Sequence, residues 1–265
     1  MESVDEKSEI IVQYSGPIQI IKFNRPQRKN AITSEGYYII RKALQSAAEN
    51  NDVKISFVTG VGDYFSSGND FGQSSIADED IDITIRNRLA PVREILRCLI
   101  DYPKILIAFV NGPAIGIAVT MLPLFDLVYA SENATFRTPF SSLGITAEGC
   151  STYTFSRCLG KSLAAKMLYF NYTMTAKEAK DSGFVADVIS NKDLPKFMNK
   201  LQTFGELPLK ALVSTKQMSR SHDLKSLHYA NTMEAEKLVE MFQSEDFINA
   251  MLKLKQRKIT GRSKL

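Results

Sequence analysis

The 265-residue chain has no tryptophan, two histidines and three cysteines. Cys98, Cys150 and Cys158 are odd in number and show no metal-ligand spacing. They read as free, partly buried thiols of a reducing compartment. No apolar run reaches the roughly 18 residues that a membrane-spanning helix needs. The opening segment MESVDEKSEI is polar and acidic, so neither a secretory h-region nor an Arg-rich transit peptide is expected there. Charge of one sign is also scarce. Lys and Arg total 33 against 29 Asp and Glu, a formal net charge of +4. The excess is spread along the chain and becomes clearly basic only in the last dozen residues. A nucleic-acid partner calls for a clustered basic stripe, so none is expected.

Hydrophobic residues make up 44% of the chain, enough for a sizeable core without covalent staples. The length suits one large domain or one domain with a helical appendage. Strand-like and helix-like segments alternate. Ile10 to Tyr14 and Ile18 to Phe23 are β-branched and aromatic, with Ser15-Gly16-Pro17 as the turn between them. Asn24-Arg25-Pro26 then breaks the strand. Residues 34–50 have helical spacing with Ser34 as N-cap. Lys54 to Thr59, Lys104 to Val110 and Leu127 to Ala130 read as buried strands. Ile81 to Ile100 reads as an amphipathic helix, interrupted or kinked at Pro91, and residues 72–82 as a mobile loop. From about Ser151 onward the signals are nearly all helical. This order implies βαβ crossovers and a parallel sheet, an α/β fold.

Two glycine-containing turns follow strands. They are Phe65-Ser66-Ser67-Gly68-Asn69-Asp70-Phe71 and Asn111-Gly112-Pro113-Ala114-Ile115-Gly116-Ile117. Ligands of open α/β sheets bind at the carboxyl ends of strands, and small residues there admit a ligand close to the backbone. Two such turns could aim two N–H groups at one oxygen, an oxyanion hole. Taken singly, each reads first as a tight turn. Neither is a GxGxxG or Walker loop. Glu148 lies between an apolar run and Gly149. It reads either as a first-turn helix glutamate facing the dipole or as an apolar-held carboxyl that trades a proton near neutrality.

The span from about Ile10 to Leu254 resembles the enoyl-CoA hydratase/isomerase (crotonase) superfamily. The matching residues are Asn24-Arg25-Pro26 with Asn30-Ala31, Phe65 to Asp70, and Asn111 to Gly116. The resemblance implies a crotonase-like fold of repeated ββα units, with a core over residues 1–200 and a helical C-terminal region over 201–265. It implies an oxyanion hole for a thioester carbonyl, with the backbone N–H groups of Asn69 and Ile117 as donors. It places Ser67, Gly68, Asn69, Asp70, Phe71, Gly116, Ile117, Phe140 and Leu143 at the substrate, and Arg28 and Lys29 near the phosphates of coenzyme A. Two-carboxylate hydratases of the family would carry glutamates at Thr120 and Phe140, and both are missing here. The stretch from Phe140 to Ser151 is similar to delta-3,delta-2-enoyl-CoA isomerases of peroxisomes, which implies that Glu148 is the single catalytic base.

The resemblance thus implies an enzyme acting on an acyl-CoA, with coenzyme A carried by the substrate, no other cofactor and no metal. It also implies a homotrimer or hexamer. The last three residues, Ser263-Lys264-Leu265, match the peroxisomal address, so an import receptor and a peroxisomal matrix location are expected. The alternatives are another crotonase activity (a thioesterase or weak hydratase) and a non-catalytic acyl-CoA-binding member. An RNA-binding member would need a lysine-rich helix over 83–100, where only scattered arginines stand.

Overall fold

The computed structural model describes residues 7–70 and 81–259. Phe71 and the tripeptide Ser263-Lys264-Leu265 lie outside the described residues, as does most of the loop expected at 72–82. The chain opens with β1 (Ile10–Ser15) and β2 (Ile18–Phe23), an antiparallel hairpin turned at Gly16-Pro17, then α1 (Ser34–Glu49) and β3 (Ile55–Gly60). There follow α2 (Ile81–Asp101), β4 (Ile105–Val110), β5 (Ala114–Ile115), α3 (Ile117–Thr120), β6 (Leu127–Ser131) and β7 (Thr135–Arg137). The last third holds α4 (Ser151–Phe170), β8 (Thr173–Thr175), α5 (Ala176–Asp181), β9 (Asp187–Ile189), α6 (Leu194–Gly205), α7 (Leu209–Ser221), α8 (Leu224–Met241) and α9 (Glu245–Ile259).

One sheet runs β1-β2-β3-β4-β6-β9 and is parallel from β2 onward. A second, small sheet runs β5-β7-β8. Alternation along the strands splits the side chains between two cores. Ile55, Phe57, Ile107 and Phe109 face α6 and pack on Phe197 and Leu201. Val58, Leu106, Ala108 and Val110 face the main core with α1 and α2. That interior holds a polar cluster at its edge with the sheet. Gln19 donates to the carbonyl of Ala43 (2.9 Å) and accepts from Ser56, whose hydroxyl also meets that of Tyr102 at 2.7 Å. Each member is paired, as burial demands.

Three details depart from the sequence reading. Thr33, not Ser34, caps α1, its hydroxyl accepting from the Gly36 amide. The helix α2 runs through Pro91 without interruption. The missing N–H and the ring clash cost about 3 kcal/mol in a helix interior. Burial of Leu89, Val92, Ile95, Leu96, Leu99 and Ile100 holds this one together. The last third is not all helical, because β9 extends the main sheet and β8 the small one. Residue 200 lies within α6, which covers one sheet face.

Two buried lysines stitch helices to the sheet. Lys104 Nζ donates to the carbonyls of Ala47, Asn50 and Val53, closing the open end of α1. Lys216 Nζ reaches from α7 to the carbonyl of Lys104 (2.6 Å) and to Asp126 Oδ2 (2.7 Å). We expect Lys104→Met to leave buried carbonyls unpaired and to cost about 3 kcal/mol. Denaturant unfolding beside the wild type checks this. An unchanged midpoint would mean that water replaces the ammonium at no cost.

Candidate active site

The turns after β3 and β4 converge because asparagines sew them together. Asn30 Nδ2 donates to the carbonyls of Val61 (3.0 Å) and Tyr64 (2.7 Å), and its Oδ1 accepts from the Arg25 amide. Asn111 Oδ1 accepts from the Gly60 amide, and its Nδ2 donates to the Gly62 carbonyl. Gly68 sits at φ +84, and a β-carbon there would lie 2.6 Å from the Ile115 carbonyl oxygen. Only glycine permits the turns to touch.

Each expected donor amide can be traced. Ile32 takes the Gly68 carbonyl with its N–H and offers its own carbonyl to the Asp70 amide. Strand geometry then turns the N–H of Asn69, between them, to the opposite side. Ile117 opens α3, so its N–H has no partner within the helix. The helix is one turn long, which makes this orphan N–H more important than any macrodipole. Ser67 is half-buried and donates its amide to the Lys29 carbonyl.

Glu148 is 6% exposed and lies two residues ahead of Cys150, the N-cap of α4. Asn69 Nδ2 donates to both of its oxygens, at 3.1 and 3.5 Å. Tyr37, from the buried face of α1, donates its hydroxyl to Asn69 Oδ1. Burial, reinforced by the neighbouring charge of Glu234, raises the Glu148 carboxyl to about 8, and the Asn69 amide opposes the rise. Burial and then Glu148 push the Tyr37 hydroxyl well above the ordinary phenol value. Neither Tyr37 nor Glu234 was singled out from the sequence, and the role expected for Asn69 as a donor was through its backbone. Tyr37 reads as one apolar-face residue of α1, and Glu234 as one charge among several on α8.

The polypeptide reaches Glu148 by an unusual path. Gly149 (φ +75) and Cys150 (φ 62) are both left-handed. A β-carbon on Gly149 would stand 2.2 Å from Thr120 Oγ1. Thr120 is itself fully buried. Phe140 is buried with Leu89, Ile145, Ala147 and Leu238, and Leu143 packs on that cluster. Its member Ala147 is the residue before Glu148. A cavity of about 280 Å³ opens beside it, lined by Ile32, Tyr37, Asn69, Leu89 and Phe242.

The residues expected at the nucleotide end are partly engaged already. Asp70 meets Arg25 at 2.8 Å and Arg28 at 3.4 Å, so its carboxylate ties the turn to the 25–28 segment. The Arg28 side chain stays 55% exposed. Lys29 Nζ stands 5.1 Å over the Tyr64 ring.

The sequence profile of enoyl-CoA hydratases and isomerases matches residues 13–260. The chain belongs to the enoyl-CoA hydratase/isomerase family. A human protein named Enoyl-CoA delta isomerase 2 is 41% identical over 251 residues, covering 94% of this chain and 64% of its own length. The chain therefore spans less than two thirds of that relative. A mouse protein named Enoyl-CoA delta isomerase 3, peroxisomal, is 39% identical over 94% of this chain and 79% of its own. The crystal structure of an enoyl-CoA hydratase/isomerase from Pseudoalteromonas atlantica T6c superposes with a TM-score of 0.85, covering 94% of this chain and 98% of that one. At 24% identity that likeness shows the fold, which is the crotonase fold.

Thr120 and Phe140 are both tightly packed. Thr120 is jammed against Gly149, and Phe140 is part of the apolar wall. Gly149→Ala should destabilise the fold by about 2–4 kcal/mol through strain and clash. The double variant with Thr120→Gly should recover part of the loss, because the atoms in the way are gone. Thermal unfolding of both single variants and the double decides this, and strict additivity would refute the contact.

Proposed function

We propose that this chain isomerises 3-enoyl-CoA thioesters to trans-2-enoyl-CoA, with Glu148 as its only acid-base group. The observation that carries this reading is the buried Glu148 carboxyl, raised to about 8 and facing Asn69 at the junction of the two turns. A base of that strength suits removal of a proton next to a thioester carbonyl near neutral pH. Glu148 takes a proton from carbon 2, and negative charge moves onto the thioester oxygen. The N–H groups of Asn69 and Ile117 receive that charge, each such donor being worth about 3 kcal/mol. Glu148 then returns the proton to carbon 4, which leaves the double bond conjugated with the carbonyl. The substrate brings its own coenzyme A, and no step calls for a metal or redox group. The apolar wall of Phe140 and Leu143 keeps water from the dienolate.

The names of the relatives support an acyl-CoA isomerase of fatty-acid oxidation. Ser263-Lys264-Leu265 supports import into the peroxisomal matrix. The family resemblance supports assembly into trimers or pairs of trimers, and contacts from Arg28 and Lys29 to the coenzyme A phosphates.

Glu148→Gln keeps the shape and removes the base. Its turnover of 3-enoyl-CoA, followed as absorbance of the conjugated product, should fall at least about a hundredfold. A near-normal rate would refute the mechanism, and water addition to 2-enoyl-CoA at a comparable rate would replace the isomerase with a hydratase.

The base must be deprotonated to start the reaction. Its raised value therefore places the loss of activity on the acid side. Below about pH 8, kcat/KM of the wild type should fall close to tenfold per unit. A profile flat from pH 5 to 8 would show that another group limits the rate.

A further inference from the structure

Glu234 lies on α8, 84 residues after Cys150, yet it is 6% exposed and reaches the start of α4. Its Oε2 accepts from the Cys150 amide at 2.7 Å, and its Oε1 from the amide (2.9 Å) and hydroxyl (2.5 Å) of Thr152. The N-cap residue Cys150 makes no side-chain cap of its own. A carboxylate from a distant helix therefore satisfies the orphan amides that the local sequence leaves open. Those amides lie two and four residues after Glu148, and Glu148 and Glu234 line one crevice with Gly149 and Leu238.

We propose that Glu234 is a positioning residue for Glu148, clamping the backbone that carries it and holding the pair's one proton on Glu148. This rests on the isomerase reading above. Two carboxyl groups buried together do not both ionise near neutrality. Three donors converge on Glu234, against one side-chain amide on Glu148. Hydrogen bonds to the charged form favour it, so Glu234 takes the charge and Glu148 the proton. Burial raises Glu234 too, opposed by its bonds from Thr152 and Cys150. The other titratable or charged groups packed around the pair are Tyr37 from α1, Arg93 from α2 and the Cys150 thiol, pushed up to about 12 by burial. Asp70 and Arg88 line the adjoining cavity.

The test combines turnover with a direct view of the proton. In Glu234→Gln the acid limb of kcat should move down by about one pH unit or more, with kcat at its plateau reduced about tenfold and KM little changed. Glu234→Asp, which keeps the charge, should keep the wild-type limb. A merely structural role would lower the melting temperature and leave the limb in place, and that result would overturn the proposal. Infrared difference spectra near pH 7 supply the second arm. The wild type should show a protonated buried carboxyl band that disappears in Glu148→Gln. A band surviving in Glu148→Gln would put the proton on Glu234 and overturn the proposal even if Glu234→Gln fails to fold. Absence of isomerase turnover in the wild type would refute the functional reading instead, while the infrared arm still reports on the pair.

Discussion

A carboxyl group withdrawn from water beside a second one is the constraint around which this molecule is arranged. Burial alone makes the ionised form of Glu148 expensive, and Glu234 adds to that cost. Neither group is tolerable without specific donors, and those donors come from far along the chain. The 65–70 turn supplies Asn69, α1 supplies Tyr37, and the α4 start supplies the amides that hold Glu234. Burying an unpaired charge is heavily penalised. The site and the packing of α1, α4 and α8 are therefore one problem with one solution.

The scaffold meets the problem with backbone as much as with side chains. Parallel strands bring the ends of β3 and β4 side by side, and asparagine side chains then fix the irregular chain beyond them. Gly68 allows main chain to approach main chain, and Gly149 allows the α4 start to seat on Thr120. These are positions where bulk is excluded from both sides.

Much of this was legible in the sequence, for identifiable reasons. The β-branched runs at 18–23 and 105–110 announced strands, and the glycine turns announced where the chain must bend sharply. Glu148 stood out only through the surrounding motif, because a glutamate near a helix start is common on any surface. Glu234 was missed because Glu236, Lys237 and Glu240 share its helix as exposed charges, although its spacing from Leu227, Ala230 and Leu238 puts it on their buried face. Tyr37 sits beside Tyr38, which is exposed, and periodicity alone does not say which ring carries a working hydroxyl. The three-residue β9 escaped notice because its pairing to β6, not its own composition, makes it a strand.

The contact between Tyr37 and Asn69 has one more consequence. A phenol kept from ionising keeps its hydrogen and gives it to Asn69 Oδ1, which turns the NH₂ of the same carboxamide to Glu148. An NH₂ group is unable to accept, so when Glu148 is protonated its hydrogen has no outlet in that direction. Proton traffic at this carboxyl is thereby one-sided: whatever Glu148 gives up leaves along a path away from Asn69.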